Sequence, residues 1–441
     1  MNLKLLAVAT CLTVGVGLGQ LMDSGAADVF LEATRGEFQK IPIGVLGYRD
    51  NTMVDGQARR VVDILKADLR RSQVFTVVDP PKSIQLARFD STAVDRGLFT
   101  RAAENGLAVL VWGRLGQRDP DMVLDSYVVD GLLTQSSDAD TVAGKRYVGS
   151  PSVLRLMVHR LADELVFRYT GEPGIARTQI AFVSDYGGGR ELFVMDYDGY
   201  APRQVTADGF LNLMPRWSPD RRYLAFTTYR GRNHHIDLVE LTTGKRWTLV
   251  SANGMNITPA WSPDGAILAY AGSQDGNAEI YAMDTRTRST RRLTDNPAGD
   301  FSPSWSPTGR EIAFASDRGG GPQVYVMGAD GSNVRRLTFE GDYNTAPTWS
   351  PRGTWIAYVC RTKEQQLKLC LISPDGQRRL QITSGPGADE SPSWSPDGRH
   401  LVFSSTRDGK SHIYMMNTDG TDVERLTAGG TYHSSPSWSP V

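Results

Sequence analysis

The stretch Trp394-Ser395-Pro396-Asp397-Gly398 decides the fold, because its first three residues recur at a fixed interval through the second half of the chain. Successive tryptophans of this motif are separated by 44, 44, 44, 45 and 44 residues. The six are Trp217, Trp261, Trp305, Trp349, Trp394 and Trp438. A period in the forties with strand-type composition is typical of the blades of a β-propeller.

Each repeat has the same internal order. An Asp-Gly pair or a similar one after Trp-Ser-Pro suits a tight turn. A short apolar strand such as Ile312-Ala313-Phe314 follows, then a polar or glycine-rich hairpin, then an alternating strand such as Gln323-Val324-Tyr325-Val326-Met327. Another turn leads to a strand that ends in Leu-Thr, as at Leu337-Thr338. This order predicts four antiparallel strands in each repeat.

The two ends of the repeat array are complementary. Ile180-Ala181-Phe182 begins a repeat without a preceding Trp-Ser-Pro, and Trp438-Ser439-Pro440 is followed by no further strands. The simplest arrangement is a closed ring in which the C-terminal strand supplies the inner strand of the first blade, because closure removes exposed sheet edges. We therefore predict an all-β six-bladed propeller over residues 179–441, with the repeated tryptophans packed between neighbouring blades.

The preceding part of the chain, residues 28–170, lacks the repeat and mixes helical and strand patterns. This order favours a small α/β N-terminal domain, joined to the propeller by a Gly- and Pro-containing linker at 171–178. The expected strands are Ile41–Tyr48, Val74–Val78, Leu107–Leu115 and Met122–Leu133. The expected helices are Gln57–Arg71, Leu98–Asn105 and Ser152–Tyr169.

Residues 1–27 have the pattern of a signal peptide. Lys4 provides the positive charge, residues 5–21 are apolar or small, and small residues at 24–27 suit cleavage. Two alternatives are a retained membrane anchor and a lipoprotein site at Cys11. No later stretch is long and apolar enough to span a bilayer, so we predict an exported protein without a direct membrane span.

The sequence contains no clear motif for catalysis or for binding nucleic acid, phosphate or metal. The formal net charge of −1 gives no basic excess for nucleic acid. Neither a nucleophile elbow nor a phosphate loop is present. The adjacent pair His234-His235 would point in different directions on a strand, which argues against zinc. We therefore predict a protein that is not an enzyme, with no catalytic residues, no cofactor and no metal.

Cys360 and Cys370 would remain after cleavage of the signal peptide. Two cysteines ten apart in an exported chain are a candidate disulfide. They flank a hairpin centred near residues 363–366, which could place them directly opposite each other on paired strands. The alternative is a pair of buried free thiols.

The segments just before each Trp-Ser-Pro lead into the inner strands, so they should meet at one mouth of the central channel. Binding residues favour loops on rigid scaffolds, although ordinary solvated loops are the alternative. The predicted partner-binding residues at this mouth are Asn212, Leu213, Met255, Asn256, Thr258, Asp300, Ser302, Asn344, Thr345, Asp389, Glu390, His433 and Ser434.

The combination of export signal, α/β domain and propeller resembles the TolB family of the Tol-Pal system, found in the periplasm of Gram-negative bacteria. Ile41-Pro42-Ile43-Gly44-Val45 and Asp196-Tyr197-Asp198-Gly199-Tyr200 are similar to family segments. The resemblance implies a scaffold that binds the lipoprotein Pal through the propeller mouth and supports outer-membrane integrity and constriction at cell division. Other periplasmic or outer-membrane proteins are further candidate partners.

The resemblance also implies that an N-terminal arm contacts TolA. Its residues are Asp28, Val29, Phe30, Leu31, Glu32, Ala33 and Thr34. An apolar segment at a new N-terminus could add as a strand to a partner's sheet, or it could be a frayed tail. The alternative for the whole protein is a secreted propeller related to those associated with peptidases.

Overall fold

The structure, a computed structural model, describes residues 39–52, 55–81, 84, 101–130, 143–185, 189–230 and 233–441. The predicted signal peptide at 1–27 and the predicted arm at 28–34 lie outside the described residues. Residues 41–441 form one compact unit. No helix in the described part of the chain combines the length and the apolar character that crossing a membrane would require.

The N-terminal domain is a five-stranded mixed sheet in the order β2-β1-β3-β4-β5. Strand β1 is parallel to β2 and β3, whereas β4 is antiparallel to both of its neighbours. Helices α1 and α2 share one hydrophobic core with the sheet. The elements are β1 Ile41–Asn51, α1 Gln57–Arg71, β2 Phe75–Val78, β3 Val109–Arg118, β4 Asp121–Asp130, β5 Ala143–Gly149, a 3-10 turn at Pro151–Val153 and α2 Leu154–Thr170.

The predicted helix at Gln57–Arg71 is confirmed with the same bounds. Of the predicted helix at Leu98–Asn105, the described part is helical at 101–104. The last strand of the sheet, β5, was not predicted. It lies at the sheet edge and among its residues only Tyr147 is buried, so its sequence lacks the alternating apolar pattern of a half-buried strand.

The rest of the chain forms the predicted six-bladed propeller, with four antiparallel strands in each blade. The strands are β6 Gln179–Ser184, β7 Glu191–Asp196 and β8 Arg203–Gln204 in blade 1; β9 Leu211–Trp217, β10 Tyr223–Arg230, β11 Asn233–Glu240 and β12 Arg246–Val250 in blade 2; β13 Asn256–Trp261, β14 Ile267–Gly272, β15 Glu279–Asp284 and β16 Thr290–Arg292 in blade 3; β17 Asp300–Trp305, β18 Glu311–Ser316, β19 Gln323–Gly328 and β20 Arg335–Arg336 in blade 4; β21 Asn344–Trp349, β22 Ile356–Arg361, β23 Leu367–Ile372 and β24 Arg379–Gln381 in blade 5; and β25 Asp389–Trp394, β26 His400–Ser405, β27 His412–Asn417 and β28 Glu424–Arg425 in blade 6.

The C-terminal strand closes the ring, as predicted. This strand, β29 (His433–Trp438), pairs antiparallel with β6 and completes blade 1. Gln179 and Ser439 add two further hydrogen bonds. The backbone N–H of Gln179 donates to Ser439 Oγ at 3.0 Å, and the backbone N–H of Ser439 donates to the backbone oxygen of Gln179 at 2.8 Å. The first and last segments of the propeller are therefore held in one sheet.

The repeated tryptophans pack between neighbouring blades, as predicted. Trp217, for example, shares a cluster with Val194 of blade 1 and Phe226 of its own blade. Its indole Nε1 donates to the backbone oxygen of Ser437 in blade 1 at 2.9 Å. Trp305 and Trp394 donate in the same way to the backbone oxygens of Ala260 and Thr348, at 3.2 and 2.9 Å. In these three blades the tryptophan therefore adds a hydrogen bond to its apolar contact with the preceding blade.

The segment 171–178 is anchored between the two parts of the molecule. The Asp163 carboxylate accepts hydrogen bonds from Ala176 N at 2.8 Å and Arg177 Nε at 2.7 Å. A Cβ added at Gly174 would lie 2.3 Å from that carboxylate, so only glycine fits this approach. Glu172 forms ion pairs with Arg352 and Arg399 of the propeller at 2.7 and 2.8 Å.

Candidate functional site

The channel of the propeller has two chemically different ends. Every inner strand has a polar residue at its first or second position at one end, which we call the mouth, and ends at the tryptophan of Trp-Ser-Pro at the other. The loops that enter the inner strands therefore gather around the mouth. The Trp-Ser-Pro end lies on the side of the N-terminal domain, because Arg352 and Arg399, in the turns after two of these motifs, form ion pairs with Glu172 just after α2.

Six of the predicted mouth residues occupy the first or second position of an inner strand, and all six are buried. We call them the blade locks: Asn212, Asn256, Asp300, Asn344, Asp389 and His433. Asn212 donates to Glu191 of the preceding blade at 2.9 Å, and Asn344 donates to Gln323 of the preceding blade at 2.9 Å. The polar positions at the mouth thus join neighbouring blades by hydrogen bonds, at the end opposite the tryptophans.

Asn256 and Asp389 also form hydrogen bonds with the preceding blade, but with different partners. Asn256 donates to the backbone oxygen of His234 at 2.9 Å. The buried Lys368 ammonium donates to Asp389 at 3.3 Å. We therefore expect substitution of a lock to lower stability, because a buried polar group that loses its partner destabilises the fold.

Burial shifts the pKa of two of the locks, Asp300 and His433. It raises the pKa of Asp300, although the hydrogen bond from Ser316 and the charge of Arg318 oppose this effect. Burial also lowers the pKa of His433 and of His412, whose rings are 5.5 Å apart across the junction between blades 6 and 1. Both imidazoles are therefore neutral at neutral pH.

Thr258 and Ser302 lie deeper, in a ring that narrows the channel. Each inner strand contains a β-bulge here, where one non-glycine residue adopts positive φ, between 49° and 55°. Such a conformation is uncommon and is a true outlier for a β-branched residue such as threonine. We call this ring the waist, formed by Met214, Thr258, Ser302, Ala346, Ser391 and Ser435.

The remaining predicted mouth residues are dispersed. Leu213 packs partly buried between blades 1 and 2, and Ser434 is buried. Met255 and Thr345 are partly buried, whereas Glu390 is exposed. The structure therefore brings the thirteen residues to one end of the channel without uniting them in one exposed surface.

The predicted binding residues do not include four aromatic residues in the loops around the mouth, of which Tyr343 and Tyr432 are partly exposed. Phe210 is 38% exposed and Phe339 is 72% exposed. The Arg361 guanidinium lies 4.5 Å from the ring centroid of Tyr343, and Arg190 lies 4.8 Å from that of Tyr432. We call these four aromatic residues the rim. Their signal was present in the sequence, because each lies in a loop that precedes an inner strand.

Cys360 and Cys370 are joined by a disulfide on the adjacent strands β22 and β23 of blade 5, with their Cα atoms 6.0 Å apart. The expectation that they stand directly opposite each other is wrong. Cys360 is opposite Lys368 and Cys370 is opposite Tyr358, so the cysteines are diagonal neighbours. The hairpin sets this register by pairing Arg361 with Leu367.

One cluster in the described residues has the donor atoms of a metal site. Single ligand atoms of Asp68, His159 and Asp198 lie within 4.8 Å of one another. These groups are already engaged, because Asp68 accepts from Tyr197 and Asp198 is paired with Arg155. The nearby guanidinium charge opposes a cation, so we assign no metal to this cluster.

Fold and site together define a closed six-bladed β-propeller that presents an aromatic rim at one mouth and is joined to a small α/β domain. The family profile described as the TolB beta propeller domain matches residues 166–372 and 362–441. The chain belongs to the TolB β-propeller family.

Curated relatives and one solved structure agree with this assignment. A Tol-Pal system protein TolB from Methylobacillus flagellatus is 33% identical over 53% of this chain and 52% of its own length, and one from Geobacter sulfurreducens is 40% identical over 45% and 44%. The chain therefore spans about half the length of the curated relatives it matches. The crystal structure of TolB from Acinetobacter baumannii has a TM-score of 0.74 and 26% identity, covering 91% of this chain and 97% of that one.

Proposed function

We propose that this chain is a non-enzymatic, protein-binding scaffold of the Tol-Pal system in the periplasm. The observation that carries the proposal is membership of the TolB β-propeller family, together with matched relatives that are named Tol-Pal system proteins. Pal binds at the propeller mouth, and TolA binds the N-terminal arm 28–34. Through these contacts the protein supports outer-membrane integrity and constriction at cell division.

The chemistry of the rim supports the mouth as the Pal site. Aromatic residues and arginine are enriched among the residues that dominate binding energy at protein interfaces. The two Arg–Tyr contacts, Arg361–Tyr343 and Arg190–Tyr432, present both types together. The blade locks beneath them fix the loops, so the rim meets a partner with little loss of conformational entropy. We therefore assign direct contact to the rim and a supporting role to the locks.

Replacing Phe210, Tyr343 and Tyr432 together by alanine should weaken Pal binding by about 2 kcal/mol or more, because truncated aromatic anchors at an interface cost that much. Isothermal titration calorimetry with purified Pal measures the loss. Leu380→Ala is the matched control, since Leu380 is 52% exposed but lies on the outer strand β24. Unchanged Pal affinity in a correctly folded triple variant would contradict the assignment.

Deleting residues 28–34 should abolish TolA binding and leave Pal binding unchanged. The reason is that an apolar N-terminal segment can supply backbone hydrogen bonds to a partner's sheet edge, whereas the mouth is formed by the propeller alone. The measurement is titration of TolA, and separately of Pal, into the full-length and the arm-deleted protein. Equal TolA affinity in both proteins would exclude the arm as the contact.

A further inference from the structure

The channel contains one residue that breaks the pattern of the repeat. The position just before each inner-strand tryptophan faces the channel and is small or hydroxylated in five blades, at Ala260, Ser304, Thr348, Ser393 and Ser437. In blade 2 it is Arg216. This arginine lines both the waist cavity, of about 80 Å³, and the cavity of about 470 Å³ at the Trp-Ser-Pro end. A single positive charge is thus placed inside an otherwise uncharged ring.

Arg216 has no counter-charge among the described residues. Its Nη1 donates to the backbone oxygen of Pro215 at 2.9 Å, and burial lowers its pKa to about 10 with no carboxylate opposing the effect. The guanidinium therefore stays charged at neutral pH. Four arginines near the mouth differ, because they pair with buried carboxylates: Arg246 with Asp237, Arg292 with Glu279, Arg318 with Asp300 and Arg407 with Asp389.

A second, independent observation concerns the neighbouring blade. The Thr258 Oγ1 atom is buried and has no hydrogen-bond partner within the described residues. Thr258 lines the same waist cavity as Arg216, as do Ser302, Ser391 and Ser435. A partly buried cation without a counter-charge and a buried, unpaired hydroxyl are each costly alone. Both would be satisfied by one ligand that brings a negative charge and hydrogen-bond acceptors.

We propose that the channel binds a small carboxylate, with Arg216 as its charge partner and Thr258 as a hydroxyl donor. The planar guanidinium matches the two oxygens of a carboxylate. One positive charge balances a monoanion, whereas a phosphate dianion would keep an unpaired negative charge inside the ring. The site lies within the channel, below the rim, so it is independent of the proposed contact with Pal.

The test compares sodium acetate with sodium phosphate at a constant ionic strength maintained with sodium chloride. Acetate should raise the melting temperature of the full-length protein, and calorimetry should show about tenfold or greater loss of acetate affinity in Arg216→Gln, since a hydrogen bond to a charged group contributes at least that factor. Arg286→Gln is the matched control, because Arg286 is an exposed arginine in a turn of blade 3. This variant should bind acetate like the parent.

A further variant and a spectroscopic measurement separate binding from folding. Arg216→Lys retains the charge but not the planar pair of donors, so it should bind acetate more weakly than the parent. In the parent, one arginine Nε–H resonance should shift on acetate addition, and that resonance should be missing from Arg216→Lys. The proposal is overturned if acetate leaves the parent unchanged, if Arg216→Gln binds it equally well, or if phosphate alone binds.

Discussion

Removing residues 432–441 is expected to unfold the propeller under conditions in which the full-length chain is folded. The deletion removes β29, the inner strand of blade 1, and exposes the edge of β6. It also removes Trp438, which is 5% exposed and packs against Val402 and Met415 of blade 6. The loss combines a strand ladder, a blade junction and a new exposed edge, so it should exceed the stability of a typical domain, about 5–15 kcal/mol.

Single substitutions of Trp438 separate the contribution of its packing from that of its hydrogen bond. Trp438→Ala should lower the free energy of unfolding by about 3–5 kcal/mol, because it leaves a cavity between blades 6 and 1. Trp438→Phe keeps much of the packing but loses the hydrogen bond from Nε1 to Thr178 Oγ1, at 2.8 Å, so the loss should be smaller. Urea denaturation measures the point variants, and limited proteolysis detects an opened ring in the truncated chain.

Deletion of Val441 alone is the control for the truncation, because this residue is 43% exposed and follows the last strand. It should leave the melting temperature unchanged. A chain lacking residues 432–441 that melts like the full-length protein would show that the ring does not depend on strand β29.

The repeat made the propeller predictable because its signals are local. Tight turns and apolar strands can be recognised within a single repeat, and the regular recurrence of the tryptophan gives the number of blades. Helix α1 was equally clear, since Val61, Leu65 and Leu69 lie on one buried face at helical spacing. Strand β5 was missed because an exposed edge strand carries almost no apolar pattern.

The candidate site was less predictable because burial is decided between blades. The sequence places Asn344 at the mouth but does not show that Gln323 of the preceding blade will enclose it. The waist was missed for another reason. Positive φ is usually associated with glycine, and none of the six waist residues is a glycine. The only local sign was that every waist residue is followed by proline, and that all of them except Met214 are small or hydroxylated.

Sequence patterns also could not predict the contacts between the N-terminal domain and the propeller. The Asp68 carboxylate of α1 accepts a hydrogen bond from the Tyr197 hydroxyl of blade 1 at 2.6 Å, across 129 residues of sequence. It also lies 2.7 Å from His159 Nδ1 of α2. All three residues are buried. Tyr197 belongs to the segment that resembles the TolB family, so this likeness reflects a structural junction between the two domains.

Asp68→Ala is expected to lower the free energy of unfolding by about 2–5 kcal/mol. The substitution leaves the Tyr197 hydroxyl and the His159 ring without their shared acceptor, and each buried unpaired group costs about 1–3 kcal/mol. Burial, and then the charge of Asp68, raise the pKa of Tyr197 well above its usual value, so the hydroxyl stays protonated and needs that acceptor. Tyr197→Phe should cost less, because the ring still packs in the shared core.

Differential scanning calorimetry provides the more specific measurement, because the Asp68 contacts join two domains. In the parent, the N-terminal domain and the propeller should unfold in one transition, and Asp68→Ala should separate it into two. Asp63→Ala is the matched control, since Asp63 is an exposed aspartate on the same helix, and such surface changes usually stay within about 0.5 kcal/mol. If Asp68→Ala and Asp63→Ala gave the same single transition at the parent's temperature, the Asp68 contacts would not hold the two domains together, and the apolar core shared by α2, β6 and β29 would be the remaining source of the junction.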